Sequence, residues 1–246
     1  MALPKLVTPK YELTIPSTGK MATYRPYLVK EEKVLMIAME TGDEQSMIRA
    51  IKQLIESCVD GVNPNDLTAF DMEYIFTLIR TKSTGETSTV KIPCQKCEAK
   101  NEVSIDLSKI RVDGLGKGYK DVMVNDTVGI RLKYPNLEAI TEAAFSDTGR
   151  TERGKEETPE QAMKQAFGII EKSIDYVFEG DQIFDFREQS QHEIDEFIDS
   201  LSSRHMAEIK DFIEDMPSAV VNCEFDCVEC NHHNTMELRG MQNFLS

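Results

Sequence analysis

The amino-acid sequence predicts an α+β fold with an N-terminal β-hairpin and helices, a discontinuous zinc-ribbon-like β element, and an inserted helical region. Three observations predict it. An alternating apolar–polar stretch opens the chain and gives way to helical periodicity. Two Cys-x-x-Cys pairs, Cys94/Cys97 and Cys227/Cys230, each sit between strand-like runs. The residues from Asn136 towards Pro217 read as mostly helical. The boundaries that follow are 1–87 for the hairpin and helices, 88–135 with 218–246 for the ribbon region, and 136–217 for the helical insertion.

The hairpin is "YELTIP" followed by "STGK" and "MATYRPYLV". Ser17-Thr18-Gly19-Lys20 lacks the earlier glycine of a phosphate-binding loop, so it reads as a turn. Helices are expected over Lys30–Glu40, over Asp43–Cys58 with Asp43 as N-cap, and over Thr68–Ser83. Met47, Ile48, Ile51, Leu54, Ile55 and Cys58 form one stripe, which makes Cys58 a buried small hydrophobe rather than a ligand. Strands are expected before and after Cys94/Cys97, and two more around Asn125-Asp126. Thr158-Pro159-Glu160-Gln161 combines a capping box with proline at the first helical position and predicts a helix running to about Phe178. The polar "TGRTERGKEE" ahead of it reads as a mobile connector. Ser190-Gln191-His192-Glu193 opens a further helix, and Ser203 begins the last, which Pro217 ends.

Two thiols make half of a tetrahedral site, and the matched surroundings of the pairs supply the other half. Hairpins carrying Cys-x-x-Cys at their tips make a zinc-ribbon with four thiolate ligands, Cys94, Cys97, Cys227 and Cys230. Such a site has no open position, so its zinc is structural. The 129 residues between Cys97 and Cys227 are no obstacle, because loop-closure entropy grows only as ~1.5RT ln n. Two other readings stand beside this one: redox dithiols, whose first cysteine normally opens a helix, and two pairs that never meet. Cys223, His232 and His233 are substitute ligands by position.

A formal net charge of −15 in 246 residues argues against nucleic acid as a partner, since phosphate contacts need clustered Lys and Arg. The longest wholly apolar run, Val34 to Met39, is far short of the ~20 residues of a membrane span, and "MALPKLVTPKYEL" has no signal-peptide core. A cytosolic protein is expected, in which six cysteines are not a disulfide framework. Glu179 to Asp215 holds 12 acids against three bases. That stretch is either a pair of solvated helix faces or a surface for a basic protein partner, with Asp195, Glu196 and Asp199 as its candidate contacts. Tyr24, Arg25 and Tyr27 have the composition of a binding hot spot, or they belong to an edge strand packed on its own helix. No nucleophile–base pair or phosphate loop points to an enzyme.

At "YELTIPSTGK" and "YRPYLVKEEKVLMIAME" the sequence resembles the baseplate hub assembly proteins of T4-like tailed bacteriophages. The likeness continues through "FDMEYIFTLIRTKSTGE" and "IPCQKCEAKNEVSIDLSKI", weakens in the helical stretch and returns at "CVECNHHNTMELRGMQNFL". It implies a non-enzymatic role in hub assembly in the host cytoplasm. The implied partners are other tail and hub proteins, among them the tape-measure protein, and such a factor need not stay in the virion. The rival reading is a zinc-ribbon module of the transcription or translation apparatus, for which a basic surface is expected.

Overall fold

Tyr11–Thr14 (β1) and Met21–Tyr24 (β2) close into an antiparallel hairpin, as the alternation predicts. The computed structural model of the chain describes residues 7–42, 44–145 and 158–240. The Ser17–Lys20 segment is a turn: Gly19 takes φ +67° and donates its amide to Ile15 O. Helices α1 (Val29–Thr41) and α2 (Glu44–Cys58) follow, the second burying Ile51, Leu54, Ile55 and Cys58. The N-cap assigned to Asp43 lies outside the described residues. Burial pushes the Cys58 thiol up to about 11, which keeps it a neutral apolar group. β3 (Val59–Asp60) adds to the hairpin beside β2. Helix α3 (Ala69–Thr84) is opened by a capping box in which Thr68 accepts the Asp71 amide.

β4 (Thr87–Pro93) and β5 (Lys100–Asp106) pair antiparallel, and β6 (Arg111–Asp113) follows. Alternate residues of this pair, Val90, Ile92, Val103 and Ile105, point into one apolar core.

Residues Gly114–Met216 form a compact unit of their own. It contains β7 (Tyr119–Met123), β8 (Val128–Lys133), α4 (Leu137–Phe145), α5 (Pro159–Ser173), β9 (Ile174–Glu179), β10 (Gln182–Asp185), α6 (Gln191–Asp199) and α7 (Ser203–Glu214). The four strands make one antiparallel sheet in the order β10-β9-β8-β7. Val122, Ile130 and Leu132 meet Ile170, Ile194, Ile198, Ile209 and Phe212 in its core.

Two expectations are corrected in this unit. The helix from Pro159 stops at Ser173 instead of about Phe178, and the stretch read as helical carries a β-hairpin. Ile174, Tyr176, Val177 and Phe178 are β-branched or aromatic, and pairing with β8 gives their backbone a ladder that a longer helix would forfeit. The β7–β8 pair, grouped by sequence with the ribbon (88–135), therefore belongs to the sheet of β9 and β10. The connector at 148–157 lies outside the described residues.

From Pro217 the chain returns to the first compact unit, which comprises Met1–Asp113 and Pro217–Ser246. β11 (Ser218–Asp226) pairs with β12 (His233–Arg239) on one side and with β6 on the other. Ala219, Val221, Cys223 and Leu238 join the core begun by β4 and β5, and Tyr74 and Leu78 of α3 pack against it. The hairpins β4–β5 and β11–β12 thus share a core although more than a hundred residues of chain separate them.

Candidate metal centre

Each of these hairpins ends in a cysteine pair. In the first, the Cys94 amide donates to Ala99 O at 2.9 Å and the Glu98 amide to Cys94 O at 2.9 Å. In the second, the Cys227 amide donates to His232 O at 2.9 Å and the Asn231 amide to Cys227 O at 3.0 Å. The residue after the second cysteine takes the left-handed conformation in both, φ 60° at Glu98 and 50° at Asn231. The two tips are therefore the same turn built twice.

The tips face each other. Cys94 Sγ lies 3.7 Å from Cys230 Sγ, and Cys97 Sγ lies 3.6 Å from Cys227 Sγ. All four sulfurs lie within 4.8 Å of one another. Sulfur ligands at about 2.3 Å from a tetrahedral zinc stand about 3.8 Å apart, so the cluster has the size of a four-thiolate cage. It is one cage from two hairpins, not two separate pairs. Cys94 and Cys227 are buried, Cys230 is half-buried and Cys97 is exposed.

The turns also tune the sulfurs. Burial opposes the Cys94 thiolate, but hydrogen bonds from the Cys97 and Lys96 amides, the Asn234 side chain and Cys227 together outweigh it and hold the thiol down to about 6. At Cys227 the Cys230 amide has the largest effect and outweighs burial, lowering that thiol too. Cys97 goes the other way. The Ala99 amide favours its thiolate, yet the neighbouring Cys230 sulfur, burial and the remaining sulfurs push it up to about 12. Four sulfurs this close resist full ionisation until a cation joins them, and a divalent ion relieves that repulsion.

Two of the substitute ligands, Cys223 and His233, are engaged elsewhere. Cys223 is buried in the shared core, and His233 Nδ1 meets Asp226 Oδ1 at 2.8 Å. Among the described residues these four cysteines are the one cluster of at least three side chains of metal-ligating type.

Sequence reasoning missed two residues of this centre, Asn101 and Asn234. The Asn101 side chain accepts the Val228 amide and the Asn234 side chain accepts the Gln95 amide, each at 2.9 Å. The signal was present, because each pair reads Cys-x-x-Cys-x-x-x-Asn.

The other candidate residues are not among the clustered ligands. Tyr24 is buried against Tyr11, and Arg25 is committed to Glu31, Pro26 O and Ser57 O. Tyr27 is half-buried and its amide donates to the Ser83 hydroxyl. Asp195, Glu196 and Asp199 are exposed on α6, while Ile194 and Ile198 of that helix enter the core of its unit.

The family model described as T4 bacteriophage base plate protein matches residues 8–246. The chain belongs to this family. The match spans both hairpins, both compact units and nearly the whole sequence, and it extends the N-terminal resemblance through the helical stretch. No curated protein and no solved structure matches the chain. This T4-like baseplate protein is an α+β chain with four cysteines clustered at a ribbon-like element. Among its described residues no helix is long and apolar enough to cross a membrane.

Proposed function

We propose that this baseplate protein is a non-enzymatic factor in formation of the baseplate hub, built around a structural zinc and working by binding other tail proteins. The family match over residues 8–246 carries the phage-tail part of the reading. The closed set of four sulfurs supports the zinc, since it offers no place for water or substrate. A site of this kind fixes shape, and an assembly factor needs fixed surfaces rather than reactive groups.

The zinc joins the chain's middle to its C-terminal hairpin, and the pairing of β6 with β11, Asp113 opposite Ser218, brings together the points at which residues 114–216 leave and return. The acidic helices then engage a basic surface of a hub component or of the tape-measure protein in the host cytoplasm, and shield it until assembly. Asp195, Glu196 and Asp199 are the contacts assigned to that surface. They are exposed, and their neighbours Ile194 and Ile198 anchor the helix, so the charges can be changed without emptying the core.

Copurification of tail proteins with the triple variant Asp195→Lys, Glu196→Lys, Asp199→Lys tests the partner surface. Loss of a tail protein that the wild-type chain retains is the expected result. Unchanged binding at low and high salt overturns the acidic-surface reading. Mass spectrometry of purified tails then distinguishes a factor that leaves from a component that stays.

A further inference from the structure

Asn101 and Asn234 occupy the same place in the two hairpins, and each reaches across to the other. We infer that these asparagines are positioning residues that hold the two half-sites in register before any ion binds. The inference rests on the reading of the four sulfurs as a zinc centre.

The geometry is reciprocal. Asn101 Oδ1 accepts the amide of Val228, the residue after Cys227; Asn234 Oδ1 accepts the amide of Gln95, the residue after Cys94. Each side-chain nitrogen donates within its own hairpin, Asn101 Nδ2 to Ala99 O at 2.7 Å and Asn234 Nδ2 to His232 O at 2.8 Å. Those two carbonyls also accept the amides of Cys94 and Cys227. Every ligand turn is thereby linked, through one carboxamide, to the loop that follows the first cysteine of the opposite turn.

Burial raises the stakes of these bonds. Asn101 is 2% exposed and Asn234 is 0% exposed, so a lost partner is not replaced by bulk water. The carboxamide is suited to the place because it both donates and accepts. A carboxylate has no donor for Ala99 O or His232 O and adds negative charge beside four sulfurs. A leucine of similar shape at either position leaves one amide and one carbonyl without this partner. The brace is also uncharged, so it adds no negative charge of its own beside the sulfurs. An ion then enters a cage whose halves already face each other, instead of gathering two free hairpins.

Chelator-driven zinc release and site-resolved amide exchange on the full-length chain test this. Asn101→Ala is expected to expose the Val228 amide and Asn234→Ala the Gln95 amide, each across the hairpin boundary. Either variant should release zinc about 10–100-fold faster, if the 10–100-fold affinity loss usual on removing a residue that supports metal ligands falls on the dissociation rate. Val221→Ala, which hollows the same core, should leave the release rate and both amides unchanged. Wild-type release in the asparagine variants, or equal acceleration by Val221→Ala, overturns the proposal.

A measurement on the unmutated chain guards against variants that do not fold. With zinc stripped, the Gln95 and Val228 amides should stay protected alongside β4 and β11. Exposure of both while those strands remain protected overturns the brace. A wild-type chain that never binds zinc contradicts the metal reading instead, and protection of the two amides still decides the brace.

Discussion

Arg25 Nη2 meets Glu31 Oε1 at 2.8 Å beneath the first turn of α1, with the Glu31 side chain only 7% exposed. Glu31 also accepts the Leu28 amide at 2.8 Å, and Arg25 reaches Ser57 O at the end of α2 at 2.9 Å. A hairpin end, a helix start and a helix end are thus tied by two side chains. Arg25→Ala leaves a carboxylate in a mostly buried place and is expected to cost about 2–3 kcal/mol in denaturant unfolding.

The same pair predicts a pH dependence. Burial raises the Glu31 pKa, but the hydrogen bond from Arg25, the Leu28 amide and Lys30 outweigh it, leaving Glu31 below its ordinary 4.5. The stability it contributes is present above that value and is lost as pH falls through the lower folded value. Unfolding measured below about pH 4.5 should show this loss in the wild-type chain. In Arg25→Ala the main opposing influence is gone, so this acid-dependent loss should shrink or change sign.

Asp71 is fully buried and accepts from the Ser17 amide and from both the amide and hydroxyl of Thr68. It caps α3 and pins the hairpin turn in one act. Asp71→Ala should cost about 2–3 kcal/mol, more than an ordinary cap, because a long-range bond is lost with it. Thermal or denaturant unfolding checks this. A cost within a few tenths of a kcal/mol of zero would show the hairpin turn held by other means.

In the second unit, the Phe178 ring lies over Gly129: a β-carbon built there falls 2.2 Å from Phe178 Cζ. The ring is half-buried and can turn aside, so Gly129→Ala should cost only about 1 kcal/mol. In a Phe178→Ala background the same change should cost nearly nothing. A double-mutant cycle reads this coupling directly.

Local signals carried much of this fold. The capping residues Thr68 and Ser190 start helices where the sequence places them, because a cap is chemistry between residues three apart. The cysteine spacing and its strand-like flanks similarly pointed to two hairpins and one cage. What failed was non-local. Helix α5 ends at Ser173 because the next residues pair with β8, more than forty positions earlier in the chain. Arg25 has the composition of a binding residue, and only the approach of Ser57 and Glu31 shows that its donors are already taken. Asn101 and Asn234 were readable as an offset repeated after each cysteine pair, but their crossed bonds were not.

Zinc content of the full-length chain purified without chelator tests the centre most directly. One equivalent per chain is predicted, abolished equally by Cys94→Ser and by Cys227→Ser, since each removes a corner of one shared tetrahedron. A wild-type chain without zinc, or a Cys227→Ser variant that keeps a full equivalent, would contradict it.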